Sequence, residues 1–318
     1  MEVNKEIDRL VGEFLNRRYM LDMGRNKLAK YLKVSPEEVV IAKKLAKKTI
    51  GYGYINPVKN EKLPKILIFD LESSPMISFH FGHWKQNIGL DQVIQNPILL
   101  TWSAKWLFSS EILSDKITPE EVLNVNDKRI TTSLWNLINK ADIVVAHYGQ
   151  KFDEPLMNAR FLINGLPPVS PYVSIDTKAV ASKQFKFPSN KLDALAIYFG
   201  FDRKLSTDFM LWRRCMEGNE DAIEEMLTYN KQDVFLLEEV YLKLRPYIHA
   251  HPNVGLYLES ETPVCSNCGC DHLSYESNYY TQTGRYDVYR CKCGALSRVR
   301  QSSVPKPVRK NLLISTGK

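Results

Sequence analysis

The chain has 318 residues, 44% of them hydrophobic and 11% aromatic, which suits a buried core and excludes wholesale disorder. No apolar run approaches the ~20 residues of a membrane span, and Met1–Leu10 is charged where a secretory leader would be apolar, so the expectation is a cytoplasmic protein with no membrane partner. The net charge of +7 is unevenly spread: residues 1–65 carry fifteen Lys/Arg against eight Asp/Glu, 66–259 nineteen against twenty-four, and 260–318 nine against four.

Basic flanks suit a polyanion such as nucleic acid, and an acidic middle suits a site for cations. Solvated lysine-rich faces that only confer solubility would give the same totals.

Residues 1–50 read as helices. Apolar residues recur at helical spacing from Asn26 to Lys48, interrupted at Lys33-Val34-Ser35. Ser35 is an N-cap, Pro36 fits the first helical position, and Glu38 completes a capping box. Two short helices around a tight turn make a helix-turn-helix, with Lys33 where glycine would be easier. Residues 51–64, including Gly51 and Gly53, read as a linker.

Residues 65–250 alternate strand and helix, which predicts an α/β domain. Ile66–Phe69 is a continuous apolar run, as in a strand buried on both faces. Ile98–Leu107, Ile143–Val145 and Val173–Ile175 are further strands. Glu154–Ile163, Lys191–Phe199 and Asp221–Leu244 are helices, stopped near Gly165, at Gly200 and by Pro246. Residues 260–300 are polar and cysteine-rich, with a strand at Tyr286–Arg290, and 301–318 read as a basic, poorly ordered tail.

Three sets of side chains carry chemistry. Asp70 and Glu72 directly follow the first strand, and residues i and i+2 of an extended chain point the same way. Both can reach one cation, and Mg²⁺ or Mn²⁺ prefers such oxygen ligands. Asp153 follows the strand at Ile143 and opens a helix, where an aspartate can also serve simply as a cap. Tyr229 and Asp233 lie four residues apart on the long helix, so they share a face. Each set alone has an ordinary explanation in packing or solvation.

Together, in this order and on these elements, Asp-x-Glu, Phe-Asp and Tyr-x-x-x-Asp resemble the DEDD exonuclease superfamily of the ribonuclease H-like fold, over about residues 65–246. The tyrosine marks one subclass; a histidine subclass would need His near Thr228. Asp70–Pro75, His83–Asn87, Ser189–Asp193 and Tyr229–Val234 resemble a group of predicted bacteriophage and bacterial exonucleases, and Asp176-Thr177 fits the same pattern. The resemblance implies a mixed sheet flanked by helices and a two-metal 3′→5′ exonuclease, in the host cytoplasm if phage-encoded. Asp70, Glu72 and Asp233 would hold one Mg²⁺ or Mn²⁺. Asp70 would bridge to a second ion, Asp153 would act through water or that ion, and Tyr229 would orient the attacking water. Tyr148 stands where the family has an asparagine that holds the substrate strand. Leu71, Trp84, Tyr148, Phe152 and Lys191 are the expected substrate contacts, the aromatics by stacking and Lys191 by a phosphate contact. His80, Phe81 and His83 lie in the same aromatic stretch. For Trp102, Trp106 and Trp135 core packing is expected.

Five of the six cysteines fall between 265 and 293, and Cys215 stands alone. Cys265-x-x-Cys268 and Cys291-x-Cys293, each beside a glycine, resemble the two knuckles of a structural zinc ribbon, with Cys270 and His272 as reserve ligands. The basic residues around them (Arg285, Arg290, Lys292, Arg298, Arg300) suggest a nucleic-acid or partner contact. DNA is favoured over RNA as the substrate, because a helix fits the major groove of B-DNA but not that of A-form RNA. An exoribonuclease and a non-cutting nucleic-acid-binding protein are the alternatives.

Overall fold

The computed structural model describes residues 6, 9–10, 13–14, 25–36, 38–43, 63–109, 111–201 and 207–316. Two compact units result: one is built on Lys65–Tyr241, and the other includes Arg25–Pro64 and Leu242–Lys318.

In the first unit β1 (Ile66–Ser73) is central. Then come a small hairpin of β2 (Ile77–Ser78) and β3 (Val93–Gln95), β4 (Leu99–Trp106), β5 (Leu113–Lys116), β6 (Ile143–Ala146) and β7 (Val173–Asp176). The five-stranded sheet has the order β5-β4-β1-β6-β7. β4 runs antiparallel to both its neighbours, while β1, β6 and β7 are parallel. The mixed sheet between helices agrees with the expected fold class. The described residues of Asp221–Leu244 extend the expected long helix by one residue, to Glu220–Leu244.

Strand alternation decides which side of the sheet does what. Leu67, Phe69 and Leu71 of β1 join a core with α1 (Lys128–Ile138) and α2 (Asp153–Ile163), through Ile130, Leu134, Met157 and Phe161. A second core holds Ile98 and Leu100 against α3 (Phe209–Met216) and α4 (Glu220–Leu244). Because side chains alternate along β1, Asp70 and Glu72 point away from the first core. Trp102 is buried in that first core, with Trp106 and Trp135 packed against it, as expected. Burial pushes the Cys215 thiol up to about 12, so it is a core residue rather than a nucleophile.

Two buried ion pairs fix the frame. Lys105 of β4 pairs with Glu238 of α4, and Glu238 also accepts the Phe108 N–H at 2.9 Å. Asp127 is fully buried. It takes both arms of Arg160 at 2.7 and 2.6 Å, the Leu99 N–H at 2.9 Å and the Asn164 amide at 2.9 Å. Burial alone would raise the Asp127 carboxyl, but Arg160 and the other donors outweigh it and hold it below the ordinary range. Its stabilising contribution is therefore present above the unfolded value of ~3.9 and is lost as pH falls through the folded value. Arg160→Leu leaves that carboxylate buried without its cation and is expected to cost about 3–5 kcal/mol, read by denaturant unfolding. A loss below 1 kcal/mol would contradict this account of the pair.

In the second unit, helix Arg25–Leu32 ends at Lys33, which adopts a left-handed φ of 56°. Ser35 Oγ accepts the Glu38 N–H at 3.1 Å, and Glu38 accepts the Ser35 N–H at 2.9 Å. The expected capping box therefore forms, and residues 36 and 38–43 are helical. Except for residues 63 and 64, the linker expected at 51–64 lies outside the described residues.

The cysteine-rich segment is a three-stranded sheet of β8 (Leu273–Tyr280), β9 (Arg285–Cys291) and β10 (Leu296–Arg298), in the order β10-β9-β8. Within the basic tail expected from 301, the first residues run beside β9. The Ser303 N–H bonds the Arg285 carbonyl at 2.8 Å, and Ser302 Oγ donates to the same carbonyl at 3.1 Å. A short helix follows at Lys306–Lys310. The Arg285 carbonyl at the start of β9 is an acceptor that composition does not reveal.

Candidate metal centre and its surroundings

Asp70 and Glu72 come from β1, and Asp233 from α4. Their carboxylate oxygens lie within 4.8 Å of one another, with Asp233 buried and the other two half-buried. At that spacing each ionised pair repels by about 3 kcal/mol at an effective dielectric of ~20. A divalent cation removes that cost, and an all-oxygen donor set of this kind fits Mg²⁺ or Mn²⁺.

Asp153 stands apart from the trio. It is buried in the first turn of α2, and its Oδ1 accepts the Leu71 N–H at 3.1 Å. It therefore braces the backbone between Asp70 and Glu72. Burial pushes its carboxyl up to about 7, against the lowering by the Leu71 N–H and with the charges of Asp176 and Glu154 adding to the rise. Phe152, not Asp153, occupies the N-cap position.

Tyr229 is buried, its ring edge-on to Trp212 at 6.4 Å between centroids, and it shares the helix face of Asp233. Leu71 corrects an expectation. Its side chain is buried in the first core and its N–H is taken by Asp153, so neither is left for a substrate. Trp84 is 74% exposed, Tyr148 and Phe152 are 45% and 44% exposed, and Lys191 is exposed at the N-cap of helix Leu192–Phe199. These four are open to a ligand.

The sequence reading missed Asn230. It is fully buried, and its amide donates to Asp70 Oδ2 at 2.7 Å, across 160 positions of chain. The available signal was an asparagine, a poor helix former, inside a long helix beside Tyr229 and Asp233. Asp176, which the sequence offered only as part of the exonuclease-like pattern, is a hub whose Oδ1 accepts the N–H groups of Tyr148, Lys178 and Ala179 at 2.9, 2.9 and 3.1 Å. It pins Tyr148 at a left-handed φ of 73°, with Lys178 Nζ 3.7 Å over its ring. His147 is tied down beside it, its Nε2 donating to the Asn190 carbonyl at 2.9 Å and its Nδ1 meeting the Thr177 hydroxyl at 2.8 Å.

A second cluster lies in the other unit. The thiols of Cys265, Cys268, Cys291 and Cys293 lie within 4.8 Å of one another. Cys265 and Cys293 are 3.7 Å apart and Cys268 and Cys291 3.6 Å. These distances are too long for disulfides. They match the ~3.8 Å edge of a tetrahedron with Zn–S bonds of ~2.3 Å. Contact with Cys268 and the other thiols pulls the Cys265 thiol down, and contact with Cys265 pushes that of Cys268 up. The donor set fits zinc, so the cluster is compatible with a zinc ribbon. Cys270 and His272 are outside it and face each other, Sγ to Nδ1 at 3.4 Å.

Residues 110–245 match the family model of the RNase_H superfamily. No curated protein matches the chain. Among solved structures, the chain is similar to the family B DNA polymerase of the hyperthermophilic archaeon Pyrobaculum calidifontis, with 12% identity and a TM-score of 0.40, over 69% of this chain and 31% of that one. The chain thus spans less than a third of that polymerase. The sheet, its single antiparallel internal strand and its flanking helices are a ribonuclease H-like fold.

Proposed function

We propose that the protein is a divalent-metal-dependent 3′→5′ exonuclease that releases nucleoside monophosphates from DNA. The observation that carries this reading is the convergence of Asp70, Glu72 and Asp233 from a strand and a distant helix. The resemblance to tyrosine-subclass DEDD exonucleases supports the direction of attack and the use of two ions.

Asp70, Glu72 and Asp233 would hold one Mg²⁺ or Mn²⁺, with Asp70 shared with a second ion and Asp153 acting through that ion or a water. A metal held there would supply an acidified water and a positive charge for the leaving oxygen. Tyr229 orients the attacking water rather than deprotonating it, since a phenol titrates near ~10. Tyr148, Phe152 and Trp84 offer ring faces to the terminal bases, and Lys191 a cation to a phosphate.

The test is an assay on 5′-labelled DNA and RNA strands with Mg²⁺, Mn²⁺ or Ca²⁺. The expected product is a ladder that shortens from the 3′ end, with DNA preferred. Strands that stay intact while the protein binds them would replace this reading with that of a non-cutting binding protein, and a preference for RNA would make it an exoribonuclease.

Asn230 gives a separate check. It orients Asp70, and such supporting hydrogen bonds are worth about 10–100-fold in metal affinity. Asn230→Ala is expected to weaken Mn²⁺ binding by about that factor in calorimetry, with an unchanged fold. Unaltered affinity would remove Asn230 from the site.

A further inference from the structure

We infer that one face of the β8–β9–β10 sheet binds unpaired polynucleotide by stacking bases on tyrosine. Directly opposed residues of an antiparallel pair share a face, as do alternate residues of one strand. Tyr279 opposes Tyr286, Arg298 opposes Val288, and Leu296 opposes Arg290. Tyr286, Val288 and Arg290 alternate along β9, so all six side chains lie on the same face.

On that face the Arg298 guanidinium lies 4.4 Å from the Tyr286 ring centroid and 5.6 Å from that of Tyr279. Tyr279 is 51% and Leu296 50% exposed, Arg290 and Arg298 are exposed, and only Val288 beneath them is buried. Arg290 also reaches Glu276 at 2.8 Å, at the bulge in β8.

Exposed Tyr279 and half-buried Tyr286, with a guanidinium over both rings on an open sheet, offer π surface to any base and a cation beside it for the phosphates. The charge favours a polyanion over a protein partner: residues 285–318 carry nine Lys/Arg against one Asp/Glu. Paired bases hide their ring faces inside a helix, which favours single strands. The surface is independent of the cleavage chemistry, so either reading can fail without the other.

The test is fluorescence anisotropy of labelled dT20 and rU20 with full-length protein carrying Asp70→Asn, which stops digestion without a chelator that would strip zinc. Tyr279→Ala and Tyr286→Ala are each expected to weaken binding about tenfold, and Tyr279→Phe to leave it intact. Arg298→Gln is expected to lower the salt slope by ~0.7. The dT20 and rU20 arms report whether the strand is DNA, RNA or either, and a self-complementary duplex should bind more weakly than both.

Unchanged affinity in both alanine variants at full zinc content would overturn the inference, as would competition by polyglutamate equal to that by dT20. If the alanine variants lose zinc, photo-crosslinking of 5-iododeoxyuridine strands to otherwise unaltered protein decides. Adducts at Tyr279 or Tyr286 support the surface, and adducts only elsewhere refute it.

Discussion

Asp70→Asn is expected to reduce 3′-end cleavage by about a thousandfold or more while making the metal-free protein slightly more stable. The opposite signs come from the same geometry. Asp70 belongs to a trio whose oxygens lie within 4.8 Å of one another, and it is held by Asn230. Removing its charge removes a metal ligand, and metal stabilisation of developing charge contributes several kcal/mol, about tenfold for each 1.36 kcal/mol. It also relieves repulsion of Glu72 and Asp233, and the asparagine fills nearly the same space. Thermal unfolding without metal should therefore rise by a few degrees, as relief of strain at a functional site often does. Adding Mn²⁺ should raise the wild-type midpoint and leave that of the variant almost still. Wild-type cleavage rates in the variant would show that the trio is not where bonds are cut. A lower midpoint in the metal-free variant would mean that Asp70 is part of the frame instead.

The parts of this centre that were legible in the sequence are those set by local geometry. Strand alternation sends Asp70 and Glu72 to one face whatever the sheet order, and helical spacing places Tyr229 with Asp233 before any neighbour is known. Ser35 and Glu38 close their capping box within a single turn. What could not be read depends on which distant elements meet. Asp153 looks like a helix cap or a ligand until β1 is beside β6 and the Leu71 N–H appears in front of it. Lys105 breaks an apolar strand, and only the arrival of Glu238 makes its burial tolerable. Asn230 has meaning only once α4 lies across β1. Leu71 sits between two acids, which suggests a substrate contact, yet the same alternation that exposes its neighbours turns its side chain into the core. Ser302 and Ser303 read by composition as part of a loose tail, because the acceptor they meet is the backbone carbonyl of Arg285 in another strand.

Removing zinc is expected to unfold the β8–β10 sheet and leave the Lys65–Tyr241 unit folded. That sheet has little apolar core of its own. The buried cluster at its base is Cys265, Cys268, Cys270, Cys291 and Ala295, with Leu273 and Cys293 packed against it. Four thiolates that converge without a cation repel or must take up protons. Zinc bound there would keep all four ionised, and in small zinc domains it contributes about 10–16 kcal/mol, more than such a sheet can gain from burial. Full-length protein should therefore contain one zinc per chain by elemental analysis. Strong chelation should abolish the near-ultraviolet signal of the ribbon tyrosines while the unfolding transition of the other unit persists. Cys268→Ser should do the same without chelator. Cys270→Ser should keep the metal, because Cys270 faces His272 and not the cluster. Zinc loss in Cys270→Ser with retention in Cys268→Ser would reverse the ligand assignment, and a zinc-free chain with an intact ribbon signal would show that packing alone holds the knuckles.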